Sequence, residues 1–486
     1  MNGLTVKGPT VNAPTMNGYD RPADAACPCL VARDSPYTPV RIAELDLDEP
    51  GAPRSPGDTG PVDAEGRVLA LVRLHGHPLG LVTTDGATGD TAGLRRALVD
   101  AAHRDLADPI ARHLAADAAA AAKAPAEGRA AAGTEPRADA APCRAGRSRL
   151  LADPPAVSVV VATHNRPELL RQCLDSLLRT GYPRLEVLVV DNAPADDAAE
   201  RLVRGGRYPA RVRYLREPVA GLARAHNRAL AEVRGEITAF TDDDTLVDRD
   251  WPTALAAAFA GSAGIGCVTG LILPAELETR AQAGLQQHGG YDKGFGPRSW
   301  SLADPPADPL FPFTAGRFGS GANMAYRTGL LRRLGGFDPA TGTGTPARGG
   351  DDLLGFFRVL VAGATLAYRP DALVWHRHSR SPDALPAQAF GYGAGFGAFL
   401  AAAVAAEPGM LPALARRLPR GAVFAATRRS GAAGAGGTGT DAGSDTGDWN
   451  RRLIALELRG LLYGPLGYLR SRRQDQRLRH AEPSPP

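Results

Sequence analysis

Continuous apolar runs alternate with amphipathic segments through the middle of the chain. Residues 157–162, 187–190 and 237–241 are apolar runs of strand length, whereas residues 167–179 and 220–233 have the spacing and glycine stop signals of helices. Strands that are apolar at every position are buried on both faces, and helices between them cover a parallel sheet. The pattern therefore predicts an α/β fold with a mostly parallel sheet flanked by helices.

Weaker patterns lie on either side of this region. Residues 67–74 and 79–83 predict two strands joined by a tight turn that contains glycine, and residues 91–114 predict an amphipathic helix. An Ala/Pro-rich tract with the composition of a linker follows them. We therefore expect a disordered N-terminus over 1–35, a small α/β module of unknown role over 36–116, the linker over 117–150, the main α/β domain over 151–380, a helical extension over 381–430, a flexible spacer over 431–447, and a C-terminal helix and tail over 448–486.

The length and charge of the chain limit the classes of partner. A chain of 486 residues is long enough for about two to three folded units. Its net charge of +4 is too small to indicate a nucleic-acid-binding face, so we expect no nucleic-acid partner. Arginines are concentrated in residues 416–429 and 470–480, which suits a solvated helix face or, as the alternative, peripheral contact with an anionic membrane.

The cysteines and apolar segments indicate the compartment. Five scattered cysteines do not form a disulfide framework, which favours a reducing environment. The chain shows no basic segment followed by an apolar run, so we expect no secretory signal and a cytoplasmic protein, peripheral at most to the inner face of the plasma membrane. Residues 389–406 are Gly-rich and of marginal length, so we expect a buried or interfacial helix, with a membrane span as the alternative.

Three consecutive carboxylates, Asp242, Asp243 and Asp244, follow the predicted strand 237–241. Adjacent carboxylates repel one another, so folding requires a cation or hydrogen-bond donors nearby. Mg²⁺ or Mn²⁺ takes one or two carboxylates and completes its shell with phosphate oxygens and water, which makes a diphosphate a natural second ligand. The alternative is an acidic loop that caps the helix expected near Asp250.

Polar residues also end two other predicted strands. Asp191 follows the run 187–190, where it can accept hydrogen bonds from a base or ribose, or act as a turn or cap residue. Thr163 opens a polar quartet, 163–166, at a predicted helix N-terminus, a position that favours anions. The quartet is therefore a candidate wall of a nucleotide pocket.

A second carboxylate pair, Asp351 and Asp352, follows a glycine-rich segment and opens a predicted helix. A carboxylate at this position can take a proton from an acceptor hydroxyl, or it can simply cap the helix. Further along, His376 and His378 end a strand, and each imidazole is either a metal ligand or a structural residue.

The order of these motifs resembles that of family 2 glycosyltransferases, inverting enzymes with the GT-A fold. The resemblance covers about residues 157–378 and rests on five motifs, VSVVVATHNRPELLRQCLDSLL, VLVVDNAP, GLARAHNRAL before GEITAFTDDDTLVDRDW, GSGANMAYRTGLLRRLGGFD and GGDDLLGFFRVLVAG. It implies a Rossmann-like sheet of the GT-A type for residues 151–380. It also implies a nucleoside-diphosphate sugar as the donor.

The resemblance implies roles for individual residues. The nucleotide sugar would be bound by Thr163, Asp191, Arg224, Asn227, Asp242 and Asp243. The Mn²⁺ or Mg²⁺ ion would be held by Asp244, Asp242 and His376, and the acceptor side would include Asn323 and Arg358. Asp352 matches the catalytic base of the family's Glu-Asp pair. Because that pair is here Asp351-Asp352, either carboxylate could reach the acceptor, and register favours Asp352.

The implied reaction is a single in-line displacement that transfers a hexosyl group. UDP-sugars are the default donors, with dTDP- and GDP-sugars open, and the acceptor would be a cell-envelope glycan, a lipid-linked glycan or a small molecule. The alternative is a non-catalytic nucleotide- or sugar-binding protein with a degenerate domain. A nucleotidyltransferase is disfavoured, because residues 163–166 contain no glycine for a phosphate-binding loop.

Overall fold

The computed structural model describes residues 37–62, 65–123, 141–289, 291–308, 310–412, 414–417 and 443–481. Its strands are β1 (Val40–Asp46), β2 (Gly66–Leu74), β3 (His77–Gly86), β4 (Val157–Thr163), β5 (Leu185–Asn192), β6 (Val212–Glu217), β7 (Ile237–Asp242), β8 (Thr245–Val247), β9 (Ile265–Pro274), β10 (Arg298–Trp300), β11 (Asn323–Arg327) and β12 (Thr365–His376). Its helices are α1 (Thr91–Asp105), α2 (Ala107–Lys123), α3 (Pro142–Ala152), α4 (Pro167–Arg179), α5 (Ala198–Arg204), α6 (Leu222–Leu230), α7 (Trp251–Gly261), α8 (Arg280–Gly289), α9 (Thr328–Arg333), α10 (Asp351–Val361), α11 (Ala384–Ala406) and α12 (Gly443–Ala481).

The segment expected to be a linker is helical where the structure describes it. Residues 117–123 are the end of α2, and residues 142–150 belong to α3. The intervening residues 124–140 lie outside the described part of the chain. The Ala-rich composition that indicated a linker is also that of a good helix former, which explains the difference.

The segments expected to be disordered or flexible fall mostly outside the description. All of 1–35 lies outside it, as do residues 431–442 of the expected spacer. The rest of that spacer, residues 443–447, has helical backbone and opens α12. The helical extension is represented chiefly by α11.

The main sheet has the strand order β10-β12-β9-β11-β7-β4-β5-β6, with β8 paired to β12 off this path. Strands β7, β4, β5 and β6 are parallel neighbours, as the apolar runs predicted. The other half is mixed, because β11 inserts antiparallel between β7 and β9. The expected α/β architecture, a central sheet flanked by helices, is confirmed.

Strand β4 shows why its sequence is apolar at nearly every position. Val159 and Val161 pack on one face of the sheet with Leu174 of α4. Val160 packs on the other face in a cluster that includes Phe357 of α10. Helices cover both faces, so alternate residues of the strand enter two separate cores.

The carboxyl ends of the parallel strands bring three of the predicted site residues to one edge. Thr163 of β4 pairs in register with Asp191 of β5. On the other side of β4, Ala162 pairs with Asp242 of β7. This edge is where open α/β sheets bind ligands.

The N-terminal module packs directly on the main domain. Strand β1, which sequence patterns did not predict, lies parallel to β2, and β2 pairs antiparallel with β3. Val68 and Ala70 of β2 pack with Leu98 of α1, whereas Leu69 and Leu71 pack with Trp375 of β12. Both faces of β2 are therefore buried, one of them against the strand that carries His376.

Helices α11 and α12 cross at close range, because glycines line both sides of the crossing. A Cβ atom on Gly464 would lie 2.5 Å from the backbone nitrogen of Ala398, and one on Gly393 would collide with the carbonyl oxygen of Glu457. Among the described residues, α11 is the one helix long and apolar enough to span a membrane, and half of its most apolar window is buried inside the protein. A mostly buried core helix meets the same criteria.

Candidate functional site

The acidic triplet lies in the turn between β7 and β8. Asp242 is the last residue of β7, and Asp243 and Asp244 lead into β8. Strand β8 pairs antiparallel with β12, which places Thr245 opposite His376. As a result, Nε2 of His376 lies 3.4 Å from Oδ1 of Asp244. The imidazole and the triplet, about 130 residues apart in sequence, thus form one cluster.

The geometry of this cluster fits a divalent cation. Asp242, Asp244 and His376 each offer a ligand atom, and these atoms all lie within 4.8 Å of one another. Oδ1 of Asp244 is buried and has no hydrogen-bond partner among the described residues. A buried carboxylate oxygen without a donor is costly unless a cation reaches it. The predicted ligand set is therefore brought together as a metal site requires.

The triplet is short of positive charge. Burial raises the pKa of Asp242 well above its ordinary value, and the charges of Asp244 and Asp243 raise it further. Burial also raises the pKa of Asp243 to about 6, against the lowering effect of Arg166. The Arg166 guanidinium forms ion pairs with Asp243 and Asp244, so one cation faces three carboxylates. A divalent ion would balance the remaining charge.

The side chains of Asp243 and Thr163 are bonded to each other and support the turn. Asp243 has no exposed surface, and its Oδ2 accepts a hydrogen bond of 2.7 Å from the Thr163 hydroxyl. Both had been expected to contact the nucleotide sugar. Their side chains instead fix the end of β4 to the turn that carries Asp244.

Asp191 occupies the expected position at the end of β5. It is buried, and Tyr214 donates its phenolic hydrogen to Oδ2 of Asp191 over 3.0 Å. Burial raises the pKa of Asp191, while the hydrogen bond from Tyr214 opposes that effect. Sequence reasoning did not single out this tyrosine, because it comes from the neighbouring strand β6.

The two residues of α6 expected on the nucleotide side are engaged elsewhere. The Asn227 amide donates to the carbonyl oxygen of Phe337 over 2.7 Å and accepts from its N–H over 2.8 Å. Arg224 forms an ion pair with Asp475 of α12. Asn227 therefore braces the loop after α9, and Arg224 holds the C-terminal helix, while their expected contacts with a nucleotide stay a prediction.

The carboxylate pair at the start of α10 consists of one buried and one partly exposed residue. Asp351 is buried, and its Oδ2 lies 3.8 Å from Nδ1 of His226. Asp352 is less buried and accepts hydrogen bonds from the N–H groups of Gly321, over 2.9 Å, and Leu353, over 2.8 Å. Burial raises the pKa of Asp352, and it raises that of Asp351 to about 7 with a further contribution from the charge of Asp352.

A buried lysine near this pair was missed by sequence reasoning. Lys293 is one of three lysines in the chain, and its exposed fraction is only 6%. Burial lowers its pKa to about 8, and the charges of Asp292 and Asp352 oppose that effect. The near absence of lysine from an arginine-rich chain was the one signal that could have drawn attention to it.

The two residues expected on the acceptor side have structural partners. Asn323 is fully buried, accepts a hydrogen bond from the Trp251 indole over 2.8 Å, and donates to the carbonyl oxygens of Leu271 and Ala372. Its side chain lies where the pairing register between β9 and β12 shifts. Arg358 donates to the carbonyl oxygen of Gly336 over 3.2 Å. These contacts give Asn323 and Arg358 bracing roles, and their place on the acceptor side stays a prediction.

Comparisons with known proteins bear on the central segment. Residues 158–335 match the family described as glycosyl transferase family 2. The glycosyltransferase GlyA of Streptococcus pneumoniae is 29% identical over 99 residues, which are 20% of this chain and 14% of that protein. The succinoglycan biosynthesis protein ExoM of Rhizobium meliloti is 38% identical over 104 residues, 20% of this chain and 33% of that protein. The chain thus matches less than two thirds of the length of these relatives.

This chain is also similar to solved structures. The mannosyltransferase PcManGT from Pyrobaculum calidifontis, in complex with GDP-Man and Mn²⁺, is 24% identical to this chain with a TM-score of 0.43. The alignment covers 66% of this chain and 92% of that one.

Proposed function

We propose that this protein transfers a sugar from a nucleoside-diphosphate sugar to an acceptor hydroxyl, because residues 158–335 match the family described as glycosyl transferase family 2. The observation that carries the proposal is the convergence of Asp242, Asp244 and His376 within 4.8 Å at the ligand-binding edge of the sheet. The second carboxylate pair is near, since the charge of Asp351 contributes to the raised pKa of Asp242. A metal site beside a candidate base is what such a transfer requires.

On the donor side, Asp242, Asp244 and His376 would hold Mn²⁺ or Mg²⁺. When bound, the ion supplies positive charge to the diphosphate as it leaves. Arg166 is a second cation at this place, and its side chain is 45% exposed beside the triplet. It can therefore turn from the carboxylates toward a phosphate oxygen, as arginine does at many phosphate sites.

The nucleoside would bind against the end of β5. Tyr214 donates to Oδ2 of Asp191, and Oδ1 would accept a hydrogen bond from the base or ribose. Asn192 next to it fixes the backbone, accepting from the N–H of Gly221 over 2.9 Å and donating to the carbonyl oxygen of Val219 over 2.8 Å. This part of the pocket is therefore held rigid before a nucleotide arrives.

On the acceptor side, Asp352 would act as the base. Its two backbone hydrogen bonds fix the orientation of the carboxylate, and it is less buried than Asp351. The acceptor O–H bond breaks as the proton passes to Asp352, and the oxygen attacks the anomeric carbon while the bond to the diphosphate breaks on the opposite face. The product then has the inverted configuration. The position of Asp351 suits support of Asp352 better than contact with the acceptor.

The substitution Asp352→Asn tests this assignment. We expect it to lower release of nucleoside diphosphate from the donor at least ~100-fold, because general base catalysis contributes about that much, while donor binding is retained. Asp351→Asn is the matched control and should lower the rate less. Full turnover by the Asp352→Asn variant would refute the role of this residue.

The acceptor would lie at an anionic membrane surface. Helix α12 exposes Leu462, Leu466 and Leu469, of which Leu462 is 82% exposed, on one helical face with Arg459 and Arg473 exposed at its ends. An apolar stripe bordered by arginines matches the boundary between acyl chains and anionic headgroups. The cytoplasmic protein would then meet a lipid-linked or envelope glycan at the inner face of the membrane.

Flotation with vesicles tests this part of the proposal. Replacing Leu462, Leu466 and Leu469 by serine should lower the fraction bound to anionic vesicles at least ~10-fold, because each leucine loses its burial in the bilayer. Leu114→Ser is the control, since Leu114 on α2 is as exposed as Leu466. A wild-type protein that does not bind anionic vesicles would contradict the placement of the acceptor at a membrane surface.

A further inference from the structure

Four metal-ligating side chains converge in the N-terminal module, far from the triplet in sequence. His75 lies in the two-residue turn between β2 and β3. His113 and Asp117 lie one helical turn apart on α2, and Cys143 lies in the first turn of α3. Their ligand atoms all lie within 4.8 Å of one another. Three separate elements therefore meet at one point.

The individual distances are those between neighbouring ligands of one ion. Nδ1 of His75 lies 3.1 Å from Nε2 of His113, 2.9 Å from Oδ2 of Asp117 and 3.8 Å from Sγ of Cys143. Oδ2 of Asp117 lies 3.2 Å from the cysteine sulfur and 3.5 Å from Nε2 of His113. Bonds of about 2.0–2.3 Å in a tetrahedral zinc site place ligand atoms roughly 3.3–3.7 Å apart.

Hydrogen bonds alone do not account for this arrangement. Three polar atoms approach Nδ1 of His75, and three approach Oδ2 of Asp117. An imidazole nitrogen carries one proton or one lone pair, so it can make only one good bond of this kind. A cation at the centre would accept a lone pair from each of the four atoms at once.

We propose that His75, His113, Asp117 and Cys143 bind one Zn²⁺ ion. Two imidazoles, a thiolate and a carboxylate form a mixed four-ligand set of the kind that zinc accepts, and the thiolate disfavours Mg²⁺ and Mn²⁺. The ion would be structural, because four protein ligands leave no open position for a substrate.

The surrounding contacts hold the ligands in place. Oδ1 of Asp117 accepts a hydrogen bond of 3.3 Å from the N–H of Cys143, so one carboxylate joins α2 to the start of α3. The N–H of His75 donates to Asp48 over 3.2 Å, and His75 has a φ of 54°, a left-handed conformation that its turn imposes. Burial and the neighbouring Asp117 carboxylate raise the pKa of the Cys143 thiol to about 11, so binding of the ion would have to displace its proton.

The zinc ion would fix the module to the main domain. Helix α3 leads directly into β4, and Arg147 of α3 forms an ion pair of 2.7 Å with Asp250, at the start of α7. The ion would clamp this helix to the β2–β3 turn and to α2. It would thereby close the chain segment between α2 and α3 and make the docking of the module depend on metal.

Metal analysis of the full chain tests the proposal. The untagged protein, expressed with added zinc and dialysed, should retain about one equivalent of zinc by mass spectrometry. Cys143→Ala and His113→Ala should each lose most of it, whereas His103→Ala, an exposed histidine on α1, should not. Asp244→Ala should also keep its zinc, which separates this site from the triplet. Folded wild-type protein with no zinc, or variants with full zinc, would overturn the proposal.

Substitution with cobalt gives a second readout. Co²⁺ bound through a thiolate has a charge-transfer absorption that carboxylate and imidazole ligands alone do not produce. We expect this absorption in the wild type and in Cys173→Ala, a control that removes another cysteine, and its loss in Cys143→Ala. A spectrum unchanged by Cys143→Ala would exclude the thiolate as a ligand, even if the other variants fail to fold.

Discussion

The guanidinium of Arg73 lies 2.5 Å from the carboxylate of Asp248, and both side chains are only 6% exposed. Arg73 belongs to the N-terminal module, whereas Asp248 follows β8, four residues beyond Asp244. Arg73 also forms an ion pair of 2.7 Å with Glu44 of β1. The module therefore braces the segment that carries the acidic triplet through a buried charge network.

Arg73→Ala should destabilise the protein by about 3–5 kcal/mol, because it leaves Glu44 and Asp248 buried without a positive partner. Urea unfolding followed by circular dichroism measures this change. Arg96→Ala, an exposed arginine on α1, serves as the control and should change stability little. A loss below ~1 kcal/mol for Arg73→Ala, the value of a surface pair, would show that the network does not brace the module.

The stability of the protein should fall with acid through the buried His226. Its ring is packed 4.7 Å from that of Phe240, and burial lowers its pKa to about 3 from the ordinary 6.5. The folded state binds a proton on His226 more weakly than the unfolded state does. The contribution of neutral His226 to the free energy of unfolding is therefore complete above pH 6.5 and is lost as pH falls toward 3. The slope is up to about 1.4 kcal/mol per pH unit.

The variant His226→Phe isolates this contribution, because phenylalanine keeps the ring and cannot bind a proton. We expect the free energy of unfolding to depend less steeply on pH between 6.5 and 4 than in the wild type. Parallel pH curves for the two proteins would contradict the assignment.

The rate of transfer should depend on pH through the pair at the start of α10. A base must be ionised to accept a proton, and burial raises the pKa of Asp351 to about 7 and also raises that of Asp352. Because the base is Asp352, activity should fall with acid at a pH above the range in which an aspartate ordinarily protonates, by roughly tenfold per unit at most.

Lys293→Met should move the acid-side fall of the pH–activity profile to higher pH. The positive charge of Lys293 lowers the pKa of Asp352, and its removal makes the ionised carboxylate less favourable. Thermal unfolding of the variant checks that the fold is intact. If activity falls at the same pH in the variant and in the wild type, Lys293 does not act through Asp352.

Sequence patterns predicted the elements whose signals are local. Helix α4 begins and ends at the predicted residues, because Pro167 opens it and Gly181 follows its end. The predicted helix over 91–114 is instead two helices, α1 and α2, with a break at Leu106. Strand β1 was missed, because a run of seven residues containing three charged ones has no clear alternation.

Side-chain positions were predictable only where a strand end determines them. Asp191, Asp242 and Asp244 were placed correctly at the edge of the sheet by the strands that precede them. The partners of Asn227 and Asn323 were not predictable, since Phe337 and Ala372 are distant in sequence and meet them only after folding.

The candidate zinc ligands could not be predicted from the sequence for the same reason. They are spread from residue 75 to residue 143 over three elements, so no spacing motif joins them. Short metal-binding motifs are recognisable only when ligands share one loop or helix.

Titration of the purified protein with UDP, dTDP and GDP, each with Mn²⁺ and with EDTA, tests the central claim most directly. The account predicts that one nucleotide binds in the presence of Mn²⁺, that EDTA abolishes this binding, and that Asp244→Ala weakens it at least ~10-fold because a metal ligand is lost. Asp196→Asn, an exposed carboxylate after β5, should bind as the wild type does. The assignment of a nucleotide-sugar transferase is contradicted if no nucleotide binds under any condition. It is also contradicted if the affinity is the same with Mn²⁺ and with EDTA and is unchanged by Asp244→Ala.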